Sequence, residues 1–363
     1  MKPTASGPKV LLGDLLQSAE AGCPGCGVLV KAIRHHAPEQ IRSPEPFELR
    51  MYEERGFLIL AVVSRNPPYT KARGEDQTRQ TRQTLIELFS QDYESCLWSL
   101  IPTMHDVPHP ESVSSPELLS QARQWIAGCE ASHAACVSPL SFSLPKRLVQ
   151  IQRSPRGKHD KFSLRLLETK PGDIDRYVCL SHSRCMNPII TTQRRNVDLH
   201  YAAIPWDSLP KTFQDAIQFV FELGIGLIWI DCLCVVQDDD ADRREEAAKM
   251  PAYYWNSYFT LGAASGADSS AGLLRRGVGE GTTLQIAATD ERTSKRFYIT
   301  ARKPLTHQFE TIDNEKERLL STRFLRFGPQ ELIWECRQTT DCQCGGVAQK
   351  SEAQFQSNAA LRR

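Results

Sequence analysis

The chain has 363 residues, more than one ordinary domain needs and enough for two lobes that each bury a core. Its 44 Lys and Arg residues balance 43 Asp and Glu residues, so no excess positive charge favours nucleic acid or an anionic membrane. The sequence shows neither a secretory signal nor an apolar run as long as a membrane span. We therefore expect a cytoplasmic protein without a nucleic-acid partner, whose 12 cysteines stay reduced or bind metal.

The first part of the chain mixes helical and strand patterns. Two apolar runs within residues 47–63 flank a turn-like Glu-Glu-Arg-Gly and predict a hairpin. Apolar residues at helical spacing predict a helix over residues 117–135, and residues 148–151 and 162–167 predict a pair of strands. We expect residues 1–168 to form a smaller mixed α+β lobe.

The second part alternates short apolar strands with longer helical segments. Strands are predicted over residues 177–180, 225–230 and 258–264, and helices over residues 208–224 and 241–255. This alternation is typical of an α/β domain with a largely parallel sheet and flanking helices. We expect that domain over residues 169–337, followed by a mobile carboxyl-terminal tail over residues 338–363.

Polar side chains follow each predicted parallel strand. Ser181 and His182 follow the first strand, Asp231 the second, and Ser265 and Asp268 the third. Because ligands bind beyond the carboxyl ends of parallel strands, these groups are candidates for a catalytic or ligand-binding crevice. The alternative is that they only cap helices and form turns, as Ser and Asp often do.

Glu246 is a further candidate, because it lies where the predicted helix over residues 241–255 should carry an apolar side chain. It shares a helical face with Met250 and Tyr253, so its carboxylate is either buried or faces a cleft. Such a carboxylate is often used for proton transfer or for stabilising charge. The alternative is a salt bridge to Arg243 or Arg244.

Cysteine and histidine spacing predicts a structural zinc site. Cys23 and Cys26 form a Cys-x2-Cys pair, and Cys129, His133 and Cys136 have helical spacings that place them on one face. The two groups are about a hundred residues apart, so the site requires that the segments meet in the fold. The alternative is that these cysteines are reduced and buried in apolar surroundings.

The segment from Tyr177 to about Arg337 resembles a fungal heterokaryon-incompatibility (HET) domain. The resemblance rests on blocks in the family's order: YVCLSH, IPWDSLPKTFQDAI, ELGIGLIWIDCLCVVQDDDADRREEAAKM and YFTLGAASGADSSAGLL. It implies a flavodoxin-like core similar to TIR domains. It also implies a role in self/non-self recognition and programmed cell death, through protein partners and self-association.

The resemblance also implies a reaction. TIR relatives include enzymes that cleave NAD at its nicotinamide glycosidic bond, and Glu246 stands at the glutamate position of the HET motif. NAD would then be the substrate, in a pocket lined by Ser181, Asp231 and Ser265.

Four residues depart from the usual HET pattern. Ser183, Arg184 and Cys185 stand where the family commonly has Cys-Trp-Gly, and Arg243 replaces a tryptophan before the glutamate. Loss of aromatic rings that could stack on a base favours, as an alternative, a catalytically inactive HET domain that serves as an interaction module.

Overall fold

The computed structural model describes residues 9–54, 57–65, 83–91, 98–103, 112–136, 144–154, 162–182, 190–263, 270–274, 283–289, 294–305, 315–328 and 330–345. The described residues within Met1–Pro108, Gly279–Thr306 and Cys344–Gly346 form the first of two compact units. Those within His109–Val278 and His307–Gln343 form the second. None of the helices in these ranges has the length and apolar character needed to cross a membrane.

The helices in the described ranges are α1 (Leu12–Glu20), α2 (Pro24–His36), α3 (Pro38–Arg42), α4 (Pro116–Ser132), α5 (Val197–Ala202), α6 (Lys211–Glu222), α7 (Asp231–Cys234), α8 (Asp240–Asn256) and α9 (Glu315–Leu320).

The strands are β1 (Lys9–Leu11), β2 (Phe47–Glu54), β3 (Phe57–Ser64), β4 (Gln83–Phe89), β5 (Arg147–Arg153), β6 (Phe162–Glu168), β7 (Val178–His182), β8 (Leu227–Trp229), β9 (Phe259–Ala263), β10 (Thr283–Thr289), β11 (Arg296–Arg302), β12 (Arg323–Phe327), β13 (Leu332–Cys336) and β14 (Thr340–Cys342).

The first unit is built on a six-stranded sheet in the order β1-β2-β3-β4-β11-β10. The predicted hairpin over residues 47–63 is confirmed, because β2 and β3 pair antiparallel. β10 and β11 come from much later in the chain and join this sheet through pairing of β11 with β4. At that seam the buried side chains of Arg302 and Glu87 form an ion pair of 2.7 Å. The unit therefore extends beyond the predicted lobe of residues 1–168.

The second unit contains an eight-stranded sheet in the order β14-β13-β12-β9-β7-β8-β5-β6. β12, β9, β7 and β8 are parallel to one another, which confirms the predicted parallel sheet for its centre. The outer strands are antiparallel: β5 pairs with β8 and β6, and β13 with β12 and β14. Because β5 and β6 belong to this sheet, the predicted boundary at residue 168 lies inside the second unit.

The end of the described chain also differs from expectation. The predicted mobile tail begins at residue 338, but residues 340–342 form β14, which pairs with β13. Cys342 is buried there. The remainder of the predicted tail, residues 346–363, lies outside the described residues.

The sequence of α6 explains where this helix begins and ends and which of its faces is buried. It begins after Pro210, and Gly224 follows its end with a φ of 90°, a backbone conformation that glycine adopts without strain. Phe213, Ile217 and Val220 lie at helical spacing and are buried in the same apolar core as the sheet.

We predict that Gly262→Ala destabilises the second unit by about 1–3 kcal/mol, because it overpacks the core. A Cβ at this β9 position would lie 2.5 Å from Cζ of Phe324, whose side chain is buried. Urea unfolding followed by tryptophan fluorescence measures the change, since five of the six tryptophans belong to this unit.

Gly128→Ala is the matched control. Gly128 is an exposed residue of α4 with open space where an alanine methyl group would lie, so alanine should stabilise the helix by about 0.5–1 kcal/mol. Equal effects of the two substitutions would contradict the close packing of β9 against β12.

Candidate functional site

Three neighbouring strands of the second unit end at one edge of its sheet. Val178 of β7 pairs with Ile228 of β8 on one side and with Phe259 of β9 on the other. The chain passes from β7 to β8 and then crosses to β9, so the strand order reverses at β7. In open α/β sheets the ligand crevice lies at such a reversal, beyond the carboxyl ends of the strands. The predicted strand ends therefore converge.

His182 and Asp231 meet at this edge. Nε2 of His182 lies 3.2 Å from Oδ1 of Asp231, and the same oxygen accepts the backbone N–H of Cys232 at 2.7 Å. The imidazole packs edge-on against Phe213 of α6, with ring centroids 4.9 Å apart. The Asp231 side chain keeps 25% of its surface exposed, so a ligand can reach the carboxylate.

Ser181 precedes His182 in β7, so its side chain projects from the opposite face of the sheet, the face on which Tyr177 and Cys179 contact the Tyr253 carbonyl of α8. The residue is 2% exposed, and its Oγ has no hydrogen-bond partner among the described residues. A buried hydroxyl without a partner costs free energy, but this hydroxyl does not face the His182–Asp231 pair. Ser265 and Asp268, the predicted groups after β9, lie outside the described residues and stay predictions, as does the departure from the family pattern at residues 183–185.

A buried ion pair joins β5 to α8 in the same unit. Nη2 of Arg147 contacts Oδ2 of Asp242, and the two side chains are only 5% and 8% exposed. Nε of Arg147 donates to the carbonyl of Cys234 at 2.6 Å. Asp242 also accepts the Lys146 ammonium and the Val236 N–H, each at 2.9 Å. The pair thus connects the start of β5, the chain after α7, and the first turn of α8.

The surroundings of this pair keep both of its members charged. Burial opposes the ionisation of Asp242, but the bonds from Lys146 and Val236 and the charge of Arg147 together hold the pKa of Asp242 below its usual value. Burial likewise opposes the charge on Arg147, yet the nearby Asp242 raises the pKa of Arg147. Removing one partner of such a pair costs about 3–5 kcal/mol, since the other charge stays buried.

Glu246 lies one helical turn after Asp242, on the same face of α8. It is fully buried, and the Tyr253 hydroxyl donates to its carboxylate, 3.2 Å from each oxygen. Burial raises the pKa of Glu246, although the charge of Arg147 and the bond from Tyr253 act in the opposite direction. The sequence predicts that the Glu246 carboxylate is either buried or faces a cleft, and in the structure it is buried.

Arg243 and Arg244 do not form the salt bridge to Glu246 that was the predicted alternative. Both bond to Asp240. Nη1 of Arg243 donates to Oδ1 of Asp240 at 3.4 Å, and Nε of Arg244 donates to the Asp240 carbonyl at 3.0 Å. Both arginines therefore point toward the exposed start of α8. The partner of Glu246 could have been inferred from Tyr253, because helical spacing places these two residues on the same face.

A second cluster of chemically active side chains lies elsewhere in the same unit. The ligating atoms of Cys129, His133, Cys136 and Cys336 all lie within 4.8 Å of one another. Hydrogen bonds from Cys129 and Cys136 hold the pKa of the Cys336 thiol far below its usual value. Bonds to Cys136 and Cys336 raise the pKa of Cys129. Three thiols and one imidazole at these separations form a candidate metal centre.

This cluster contains three of the five predicted metal ligands. Cys23 and Cys26 are not members of it: they belong to the first unit, where Cys26 donates to Oγ of Ser18 at 3.2 Å. The predicted common helical face is also wrong in detail. α4 ends at Ser132, and His133 leaves the helix with φ −103° and ψ 91°.

Sequence reasoning missed two residues of these sites. Arg147 precedes an apolar strand, and Cys336 ends one, so neither stands out in its own segment. Their partners are distant in the chain: 95 residues separate Arg147 from Asp242, and 203 separate Cys336 from His133. No pattern within either segment could have shown these contacts.

Comparison with known protein families gives a match to the central part of the chain. Residues 177–324 match the family model described as Heterokaryon incompatibility protein (HET). No curated protein and no solved structure matches the chain. The matched residues include β7, β8, β9 and α8, and therefore both the strand-end pair and Glu246.

We predict that Glu246→Gln makes the protein more stable than the native chain near neutral pH, and that this advantage disappears in acid. The folded-state pKa of Glu246 is raised above its unfolded value, so the native chain loses stability as pH rises through the folded pKa. Glutamine cannot ionise and still accepts a bond from Tyr253. Urea unfolding at about pH 4, below the unfolded-state pKa of a glutamate, and at about pH 8 measures the difference.

Glu245→Gln is the control on the adjacent residue. Glu245 is exposed, and its bond to Lys249 lowers its pKa, so this substitution should lose stability, if anything, as pH rises. If Glu246→Gln were instead less stable than the native chain at the higher pH, Glu246 would have to be ionised and held by Arg147.

Proposed function

We propose that this chain, which carries a heterokaryon incompatibility (HET) domain over residues 177–324, acts in the cytoplasm in fungal self/non-self recognition with cell death as its outcome. We further propose that the domain does so by binding NAD at the strand-end crevice. The observation that carries this proposal is the pairing of His182 with Asp231 where the strand order reverses at β7.

The order of the parallel strands supports a nucleotide ligand. Numbered by their position in the chain, β7, β8, β9 and β12 lie in the order second, first, third, fourth. Flavodoxin-like sheets begin with this order and bind their nucleotide cofactor at the reversal. The antiparallel strand β13 stands beside β12, where such a sheet would continue in parallel.

The chemistry of the edge also suits a nucleotide. A carboxylate near the strand ends can accept hydrogen bonds from ribose hydroxyls, as acidic residues do in dinucleotide-binding sheets. Asp231 is partly exposed and is oriented by His182 and by its own helix start.

We predict that Asp231→Asn weakens NAD binding by about 10- to 100-fold, the effect of losing a hydrogen bond to a charged group. Isothermal titration calorimetry of the full chain with NAD measures the dissociation constant. Asp207→Asn makes the same change at an exposed position in the turn before α6 and should leave binding unchanged. Equal affinity of the native chain and Asp231→Asn would contradict the assignment of the crevice.

Cleavage of NAD is a finer proposal that rests on the HET resemblance and on Glu246. In a glycosidic cleavage, water adds to the ribose carbon as nicotinamide leaves, and a carboxylate stabilises the positive charge that develops on the sugar. In the present conformation the Glu246 carboxylate is fully buried and bonded to Tyr253. Cleavage through Glu246 therefore requires a second conformation, such as one adopted on self-association, that exposes it.

An inactive HET domain that signals through protein partners is the second candidate, and the burial of Glu246 favours it. The helix α6 is a poor candidate for the surface that such a partner would bind. Seven of its twelve residues are buried, and Lys211 alone is exposed, with 58% of its side chain accessible. A partner would have only a narrow strip of this helix to bind.

NAD consumption by the native chain and by Glu246→Gln separates the two candidates. Turnover that disappears in Glu246→Gln, while NAD binding persists, supports the enzyme. Binding without turnover in either protein, with cell death retained in Glu246→Gln, supports the signalling module.

A further inference from the structure

We propose that Cys129, His133, Cys136 and Cys336 bind one structural zinc ion. Their four ligating atoms lie within 4.8 Å of one another, and Sγ of Cys336 is 3.3 Å from Nδ1 of His133. In a tetrahedral site with Zn–S of about 2.3 Å and Zn–N of about 2.0 Å, neighbouring ligand atoms lie about 3.5–3.8 Å apart. No separation among the four ligating atoms therefore exceeds the tetrahedral value by more than about 1.3 Å.

The backbone brings the four ligands together from two distant segments. Cys129 lies in the last turn of α4, and a short turn over Ala134–Cys136 then returns the chain, with the Cys136 N–H bonded to the His133 carbonyl at 2.9 Å. Cys336 is the last residue of β13. The three cysteines are each at most 2% exposed, which suits a closed structural site without a bound water.

Hydrogen bonds around the sulfur atoms support thiolate ligands. Nε of Arg323 donates to Sγ of Cys129 at 3.3 Å, and Nη2 donates to the carbonyl of Cys136 at 2.9 Å. Sγ of Cys336 accepts the Thr339 N–H at 3.3 Å and lies 3.4 Å from the Thr339 hydroxyl. Such outer bonds orient ligands and tune the metal in protein sites.

The charges also balance. Three thiolates and one Zn²⁺ ion carry a net charge of about −1 in this site. The buried guanidinium of Arg323, in contact with Cys129, compensates that charge where water is excluded. Arg323 begins β12, directly across from Cys336 in the pairing of β12 with β13.

Three sulfur ligands and one nitrogen indicate zinc among the biological metals. Soft thiolates favour zinc and iron–sulfur clusters, but such clusters commonly use four cysteines, whereas a Cys₃His set is a standard structural zinc site. A disulfide is the main chemical alternative, because Cys129 and Cys136 are close enough in space to be oxidised together. In the structure all three cysteines are free thiols.

The position of the ligands shows what the metal would do. Three precede the matched residues 177–324, and Cys336 follows them. One ion would therefore tie the end of α4 to the hairpin that follows the HET domain, closing a loop of 203 residues between His133 and Cys336. Cross-links of long loops restrict the unfolded chain and so stabilise the fold.

Elemental analysis of the full chain, purified without chelator from zinc-supplemented medium, tests the proposal. We expect about one zinc per chain. Cys336→Ala should weaken zinc affinity by more than about tenfold in competition with a chromophoric chelator, since disturbing even an outer partner has that effect. Cys23→Ala, which alters the exposed cysteine of the first unit, should keep the full zinc content.

Three results would overturn the proposal: a folded native chain without zinc, a disulfide between Cys129 and Cys136 in the freshly purified protein, or a zinc affinity of Cys336→Ala equal to that of the native chain. If Cys336→Ala does not fold, cobalt substitution of the native chain decides. Tetrahedral d–d bands with an intense thiolate charge-transfer band support the site, and their absence rejects it.

Discussion

The buried ion pair between Arg147 and Asp242 is the constraint on which the arrangement of the second unit's ligand edge depends. It holds together the start of β5, the chain after α7, and the first turn of α8, three pieces that are separate in sequence. Both charges are withdrawn from water, so each is tolerated only because the other and its hydrogen-bonding partners are in place. With the start of α8 fixed in this way, Glu246 follows one turn later inside the core, where Tyr253 is its hydrogen-bond donor.

The family resemblance implies that Asp231 and Glu246 line one pocket, where Asp231 would contact the ligand and Glu246 would stabilise charge. In the structure the two carboxylates have different surroundings. Asp231 is partly exposed beside His182 and can meet a ligand. Glu246 is fully buried, and its raised pKa reflects that burial more than any readiness for catalysis. Structural ion-pair networks also shift pKa values, so the shift alone does not identify a catalytic group. The proposed ligand binding is compatible with the present conformation, whereas the proposed cleavage requires a different one. The Cys/His cluster, outside the matched residues, would strengthen the frame around both.

The sequence predicted those parts of the structure whose signals are local. The apolar periodicity of α6, the unbroken apolar run of β8 and the polar residues at the ends of β7 and β8 each lie within one short segment. Each was predicted close to its observed position. The features that the sequence did not predict depend on contacts between distant segments. Arg302 of β11 reaches Glu87 of β4 across 215 residues, and Cys336 reaches His133 across 203, yet neither segment differs in composition from an ordinary strand. Hydrophobic pattern fixes which residues are buried, but not which distant segment covers them.

Hydrogen–deuterium exchange of the full chain with and without NAD tests the central claim most directly, because it locates the ligand without assuming turnover. We predict slower exchange on NAD addition in peptides that cover the ends of β7 and β8, residues 178–182 and 227–234, and loss of this protection in Asp231→Asn. Protection confined to peptides of the first unit, or none at the β7 and β8 ends despite measured binding, would contradict it.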